Sequence, residues 1–294
     1  MSILPGPTPG RPREIESPSN LWLIHPASRA LVDILVRTPV TPNQVSVTSV
    51  AAAGAAAGAY VFIPWPWGAF VGLAAQLAWH VLDGADGDLA RRTGLASPLG
   101  ELIDGVCDHV SQGLIYLAFA LVLQRSLGAW AWALSLAAAS SHFLQANAYE
   151  TGRKTYRRWV YGAAWMRQTG AGAGGLGAAL GGAYLAISRA LSPGEDRLEA
   201  AMERPIAAGG ATAAQARVDY GEIFAPLVKA SGVMGSNVRT FAAFASILAG
   251  SPAWFFLFEL TALNFTLLVN AILRLRLNRS LAIRLEAQAA TAPN

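Results

Sequence analysis

One cysteine, Cys107, is all the sequence offers, which excludes an internal disulfide framework. Charge is scarce as well: Asp, Glu, Lys and Arg together make up 14% of the residues, where an ordinary soluble domain carries roughly 25%. The first twenty residues hold proline and charge but no apolar core, so a cleaved signal peptide is not expected. Against these shortages stands an excess of apolar residues, 53% of the chain. Several apolar runs approach the ~20 residues that a helix needs to cross a bilayer. The composition therefore describes an all-α polytopic membrane protein, and no nucleic acid is expected as a partner.

The organisation follows from where the runs begin and stop. Residues 1–19 read as a disordered tail. Over 20–40, Leu21, Leu23, Ile24, Ala27, Leu31, Ile34 and Leu35 recur with helical period among Arg29, Asp33 and Arg37, the pattern of an amphipathic helix on a membrane surface. Thr41-Pro42-Asn43 opens a hydrophobic run that lasts to Pro64. Further spans are expected near 68–90, 99–123, 129–149, 233–250 and 252–273, giving a six-helix transmembrane core over 41–150 and 232–277. Residues 278–294 are left as a C-terminal tail. Arg91, Arg92, Arg153, Lys154, Arg157, Arg158, Arg239, Arg274, Arg276 and Arg279 fall on one side of this topology and Arg125 on the other. The positive-inside rule then puts both termini on the cytoplasmic face of the inner membrane.

Residues 151–231 resist this scheme. The run from Gly170 to Ser188 is long and apolar enough to span, but an extra crossing would break the charge asymmetry. The segment is read instead as a cytoplasmic or re-entrant helical insertion. Its Gly172-x-Gly174-x-x-Gly177 matches a dinucleotide fingerprint, yet no strand precedes it, so close helix packing is the expected reason for the glycines.

The chemistry concentrates in Asp83-x-x-Asp86-Gly87-x-x-Ala90-Arg91, eight residues, then Gly100-x-x-x-Asp104-x-x-x-Asp108. Carboxylates at the mouth of apolar segments are costly and mark function. Spacings of three and four set each pair on one helix face, and two such faces would converge on a pocket suited to hard divalent cations. Metal ions there could clamp a diphosphate and neutralise charge on attacking and leaving oxygens. Gly87 and Gly100 leave room for a ligand to approach the backbone, and Arg91 could reach phosphate oxygens. Asp88 and Glu101 are read as solvated or ion-paired acids, His80 and His109 as hydrogen-bonded bundle residues, and Cys107 as a buried thiol. Asn43 either touches a nucleotide or only begins the first span.

This pattern resembles the signature of the CDP-alcohol phosphotransferase family, D-x2-D-G-x2-A-R-x8-G-x3-D-x3-D, with every fixed position present at the family's spacing. A chance match is on the order of 10⁻⁹ per starting position at average residue frequencies. The resemblance implies transfer of a phospho-alcohol group from a CDP-linked donor to an alcohol acceptor with release of CMP, in phospholipid biosynthesis. It implies Asp83, Asp86, Asp104 and Asp108 as ligands of two Mg²⁺ or Mn²⁺ ions, with Asp108 also the catalytic base. Gly87, Arg91 and Gly100 would contact the CDP moiety, one substrate would be a lipid, and the chain would form a homodimer. The Arg153 cluster and Arg239 have two readings: cytoplasmic retention at an anionic lipid surface, or a pocket for a phosphate on the acceptor. A rival from another class is a membrane cation transporter using the aspartates as its ion site. It lacks an acidic relay across the membrane, since only Glu259 lies deeper.

Overall fold

A computed structural model describes residues 12–163, 182 and 186–291, with no strand among them. The glycine pattern at 172–177 and most of the apolar run around it lie outside the described residues. The helices are α1 (His25–Leu35, after a π-helical turn Asn20–Ile24), α2 (Pro42–Phe62), α3 (Trp67–Thr93), α4 (Pro98–Leu127) and α5 (Trp130–Tyr161). After them come α6 (Glu195–Ala208), α7 (Gly210–Ala230), α8 (Ser236–Leu248), α9 (Ala253–Phe258) and α10 (Asn264–Thr291), with a π-helical turn Glu259–Leu263 between the last two.

Local chemistry sets the boundaries. Thr41 and Gln44 close a capping box on α2: the Gln44 amide N–H donates to Thr41 Oγ1 at 3.4 Å, and the Thr41 N–H donates to Gln44 Oε1 at 2.9 Å. Pro42 occupies the first turn, where its missing N–H costs nothing. Gly94 ends α3 in the left-handed region at φ 71°, a conformation that favours glycine. Three residues later Ser97 caps α4, accepting from the Gly100 N–H at 3.1 Å. Two acidic helices are thus joined by a short, sharply defined connection.

The chain divides into two compact units. The first comprises Ser17–His142 and Ser236–Ala262. Its core joins Ala56, Ala57 and Tyr60 of α2, Ile115, Tyr116, Ala118, Phe119 and Leu123 of α4, Ala131 and Ala138 of α5, Ala243 of α8 and Phe255 and Phe256 of α9. Phe119 is fully buried, with its ring 5.3 Å from Tyr60 and 5.2 Å from Phe255, edge-on to the latter. Alanine and glycine let the backbones approach. Gly72 of α3 is the extreme case, since a Cβ there would stand 2.1 Å from the Tyr60 ring. Trp65, Trp67, Trp130 and Trp254 are exposed around the helix ends remote from the aspartates, as expected of an interfacial aromatic belt.

The second unit comprises residues 1–16, 143–235 and 263–294. Tyr156, Trp159 and Val160 of α5, Leu198 and Met202 of α6, Tyr220, Phe224 and Val228 of α7 and Leu281, Ala282 and Leu285 of α10 form one apolar core. Two expectations differ here. The segment expected to be disordered reaches into this core through Ile15, which is 1% exposed. The expected C-terminal tail is instead the continuation of α10, whose apolar residues keep helical period to Leu285. Part of the insertion, 186–231, is helical and supplies α6 and α7 to the same core.

Among the described residues, three stretches are long and apolar enough to cross a membrane: Pro42–Phe62, Ile103–Leu127 and Ala253–Ala290. α8, in the region of the expected 233–250 span, has 13 residues and so rises only about 20 Å, short of a hydrocarbon core of about 30 Å.

The Gly72–Tyr60 contact yields a stability prediction. Gly72→Ala should force the Tyr60 ring away from Gln76, whose Oε1 accepts from the Tyr60 hydroxyl at 2.7 Å, and cost about 1–3 kcal/mol. Tyr60→Phe should cost about 1 kcal/mol. Thermal unfolding in detergent reads both, and an unchanged midpoint for Gly72→Ala would show that this approach is looser than described.

Candidate metal centre

The Ser97 cap fixes the register of α4, so Gly100, Asp104 and Asp108 recur every four residues along one face. Asp83 and Asp86 lie in the second half of α3. Across the two helices, one carboxylate oxygen from each of Asp83, Asp104 and Asp108 lies within 4.8 Å of the others, and all three residues are half-buried. Ligand oxygens around one octahedral Mg²⁺ stand about 3–4 Å apart, so small rotamer changes would close this group on an ion. An all-carboxylate set is hard and suits Mg²⁺ or Mn²⁺ rather than a thiophilic metal. The residues fit a divalent cation.

Asp86 stands outside that group of three. It is 4% exposed, and Ser46 of α2 donates its hydroxyl to Asp86 Oδ2 at 2.5 Å while the Gly87 N–H bonds Oδ1. Ser46 carried no signal in the sequence, being one small residue in an alanine-rich helix. Arg91 pairs with Asp88, and its guanidinium folds back over Gly87, with Nη1 3.3 Å from where a Cβ would be. A Cβ at Gly100 would stand 3.2 Å from Ser97 Oγ and 3.6 Å from Asn43 Oδ1. Asn43 therefore lies beside the motif as well as in the first turn of α2. His80 shares a 2.8 Å hydrogen bond with Thr240, and His109 one of 2.6 Å with the Gly105 carbonyl. Neither histidine belongs to the carboxylate group, and Cys107 is buried.

The two arginines assigned to an acceptor phosphate have other partners. Arg239 is 3% exposed and donates from Nε to Oε1 of the fully buried Glu259 at 2.8 Å. Opposite charges in two apolar segments of one bundle need each other, and that rule could have found the pair from the sequence. Arg153 bonds Glu16 at 2.8 Å and Glu150 at 2.9 Å, and its guanidinium lies 5.5 Å from the Tyr149 ring centre. Arg239 and Arg153 belong to different compact units, each engaged within its own. Arg239 and Arg274, counted as surface charges in the topology, are in fact buried at 3% and 2% exposure.

A family model for CDP-alcohol phosphatidyltransferase matches residues 39–190, just over half of the chain and including the whole aspartate motif. The chain belongs to the CDP-alcohol phosphatidyltransferase family, and it is accordingly a transferase of phosphate-containing groups. No curated protein is similar enough in sequence to count as a match. With its apolar helices, family membership makes it a multi-pass integral membrane protein.

Two measurements probe the centre. Mn²⁺ titrated against the purified protein should bind stoichiometrically, and Asp83→Asn or Asp104→Asn should weaken it at least tenfold; undiminished Mn²⁺ binding in either variant would remove that residue as a ligand. Arg239→Ala should destabilise the protein by about 3–5 kcal/mol by stranding Glu259, and the double replacement Arg239→Met with Glu259→Leu should recover most of it. A double variant as unstable as the single would mean that Glu259 was not what Arg239 stabilises.

Proposed function

We propose that this protein transfers a phospho-alcohol group from a CDP-linked donor to an alcohol acceptor, depends on two Mg²⁺ or Mn²⁺ ions and releases CMP. The observation that carries the reading is the gathering of Asp83, Asp104 and Asp108 within a complete family signature. Asp83, Asp86 and Asp104 would hold the metals, and Asp108 would serve as both ligand and base. When bound, the cations supply Lewis-acid polarisation of the phosphoryl oxygens.

Asp108 takes the proton of the acceptor hydroxyl as its oxygen attacks the phosphorus that bears the donor alcohol. The new P–O bond forms as the bond to the CMP oxygen breaks, and CMP leaves with the charge. Arg91 reaches the diphosphate by exchanging the Asp88 carboxylate for a phosphate group, whose two oxygens can pair with the guanidinium bidentately. Gly87 and Gly100 keep the helix backbones open to the nucleotide, and Asn43 beside Gly100 is placed to join them. Arg153 and Arg239 enter acceptor binding only if each trades its carboxylates for a phosphate.

One substrate is a lipid, which a site at the end of membrane helices can meet together with a water-soluble partner. Beside the three apolar stretches, α3 and α5 are long enough to cross, and the sixth expected span, 233–250, would need more than α8 alone to do so; the site and both termini lie on the cytoplasmic side of the inner membrane. The active form is a homodimer by resemblance to the family, and the product is a phospholipid or its precursor.

Given CDP-alcohols, a matching acceptor and Mg²⁺ or Mn²⁺, the purified protein should release CMP, and EDTA should stop it. Asp108→Asn should lower turnover by about 10²–10⁴-fold while nucleotide binding persists. CMP release that survives thorough chelation would falsify the metal-dependent mechanism.

A further inference from the structure

Ser111 of α4 is fully buried, and its Oγ has no hydrogen-bond partner among the described residues. No other hydroxyl closed off from solvent is stranded in this way among them. Helical hydroxyls elsewhere in the chain discharge onto the carbonyl one turn back: Thr93 onto Leu89 at 2.8 Å, Ser140 onto Leu136 at 2.9 Å and Thr261 onto Leu257 at 2.6 Å. The matching carbonyl for Ser111 is that of Cys107, and the hydroxyl does not take it. A stranded hydroxyl is costly in an apolar span, and Ser111 lies within the apolar stretch Ile103–Leu127.

Its position says what the missing bond is for. Ser111 follows Asp108 by three residues and Asp104 by seven, the spacing of one helix face. Helical side chains lean toward the N-terminus, so Ser111 covers the ground beside Asp108, whose Cα is about 4.5 Å back along the axis. Asp104 stands about 10.5 Å back, beyond the reach of a side chain with a single C–O bond. The same device already operates on the neighbouring acidic helix, where Ser46 donates to Asp86 Oδ2 at 2.5 Å. A carboxylate that gives one oxygen to a cation keeps the other for a donor, and that donor sets its orientation.

We propose that Ser111 is the positioning residue of Asp108, its hydroxyl donating to the carboxylate oxygen that a bound cation leaves free. The proposal rests on the reading of Asp108 as a ligand. The small rotamer change that closes Asp108 on an ion also makes this bond. Ser111 acts through Asp108 and touches neither ion nor substrate.

The test needs no substrate, so a failure of the transferase reading, seen as a parent chain that releases no CMP, leaves its outcome readable. Mn²⁺ is titrated into the full chain in detergent for the parent, Ser111→Ala, Asp108→Ala and the double variant. Ser111→Ala should weaken Mn²⁺ binding about tenfold. In the Asp108→Ala background the same replacement should change it by less than about twofold, because the group that Ser111 serves is gone. With EDTA present, Ser111→Ala should unfold at the parent's temperature or above it, since the replacement removes a stranded hydroxyl. Parental Mn²⁺ affinity in Ser111→Ala overturns the proposal. A loss that recurs in full in the Asp108→Ala background overturns it too, because the effect then does not pass through Asp108. So does a lowered unfolding midpoint with EDTA present, which would give the hydroxyl a purely structural use.

Discussion

Like-charge repulsion is the constraint around which the first unit is built. Three carboxylates held within 4.8 Å repel one another, and an unloaded centre of this kind must be kept together by packing elsewhere. That packing is supplied by α2, which lies against both acidic helices through small residues. The Ala53 and Ala56 side chains are fully buried, Tyr60 fills the gap left by Gly72, and Ser46 reaches Asp86 directly. α2 is therefore the brace of a site to which it contributes none of the three clustered carboxylates. Its capping box fixes where that brace starts.

A second theme is the pairing of polar groups inside apolar helices. His80 with Thr240, Tyr60 with Gln76, Tyr116 with His142 and Arg239 with Glu259 each join different segments of the first unit. Lipid offers no hydrogen bonds in exchange, so such pairs hold helices in one register more by the cost of breaking them than by their net strength. Glu259 opens a π-helical turn, a local widening that interrupts the regular ladder between α9 and α10. The buried Arg239–Glu259 ion pair sits at this irregularity.

The aspartate motif was legible as a pattern, one residue type at fixed helical spacing, and the structure brings an oxygen of each of Asp83, Asp104 and Asp108 within 4.8 Å of the others. The starts of α2 and α4 were equally legible, since Thr41-Pro42 and Ser97-Pro98 announce a cap and a first turn. The partner of Arg239 was not, because charge asymmetry treated each arginine as a surface marker and asked nothing of its surroundings. Nor was the second unit: Ile15 and Glu16 look like tail residues until the surfaces they cover are known, and α6 and α7 mix charge with a narrow apolar stripe. Hydropathy also stated three spans more firmly than six, for α3 carries its carboxylates in the very helix that would have to cross.

The short N-terminal segment has a practical consequence. Ile15 plugs the core of the second unit, Glu16 is one of two acids neutralising Arg153, and Glu14 accepts from the hydroxyls of Tyr156 and Tyr161. Trimming the chain to begin at Ser17, a natural choice for anyone discarding an apparently shapeless leader, would unstopper that core. The same cut would leave a half-compensated guanidinium and strip two phenols of their acceptor.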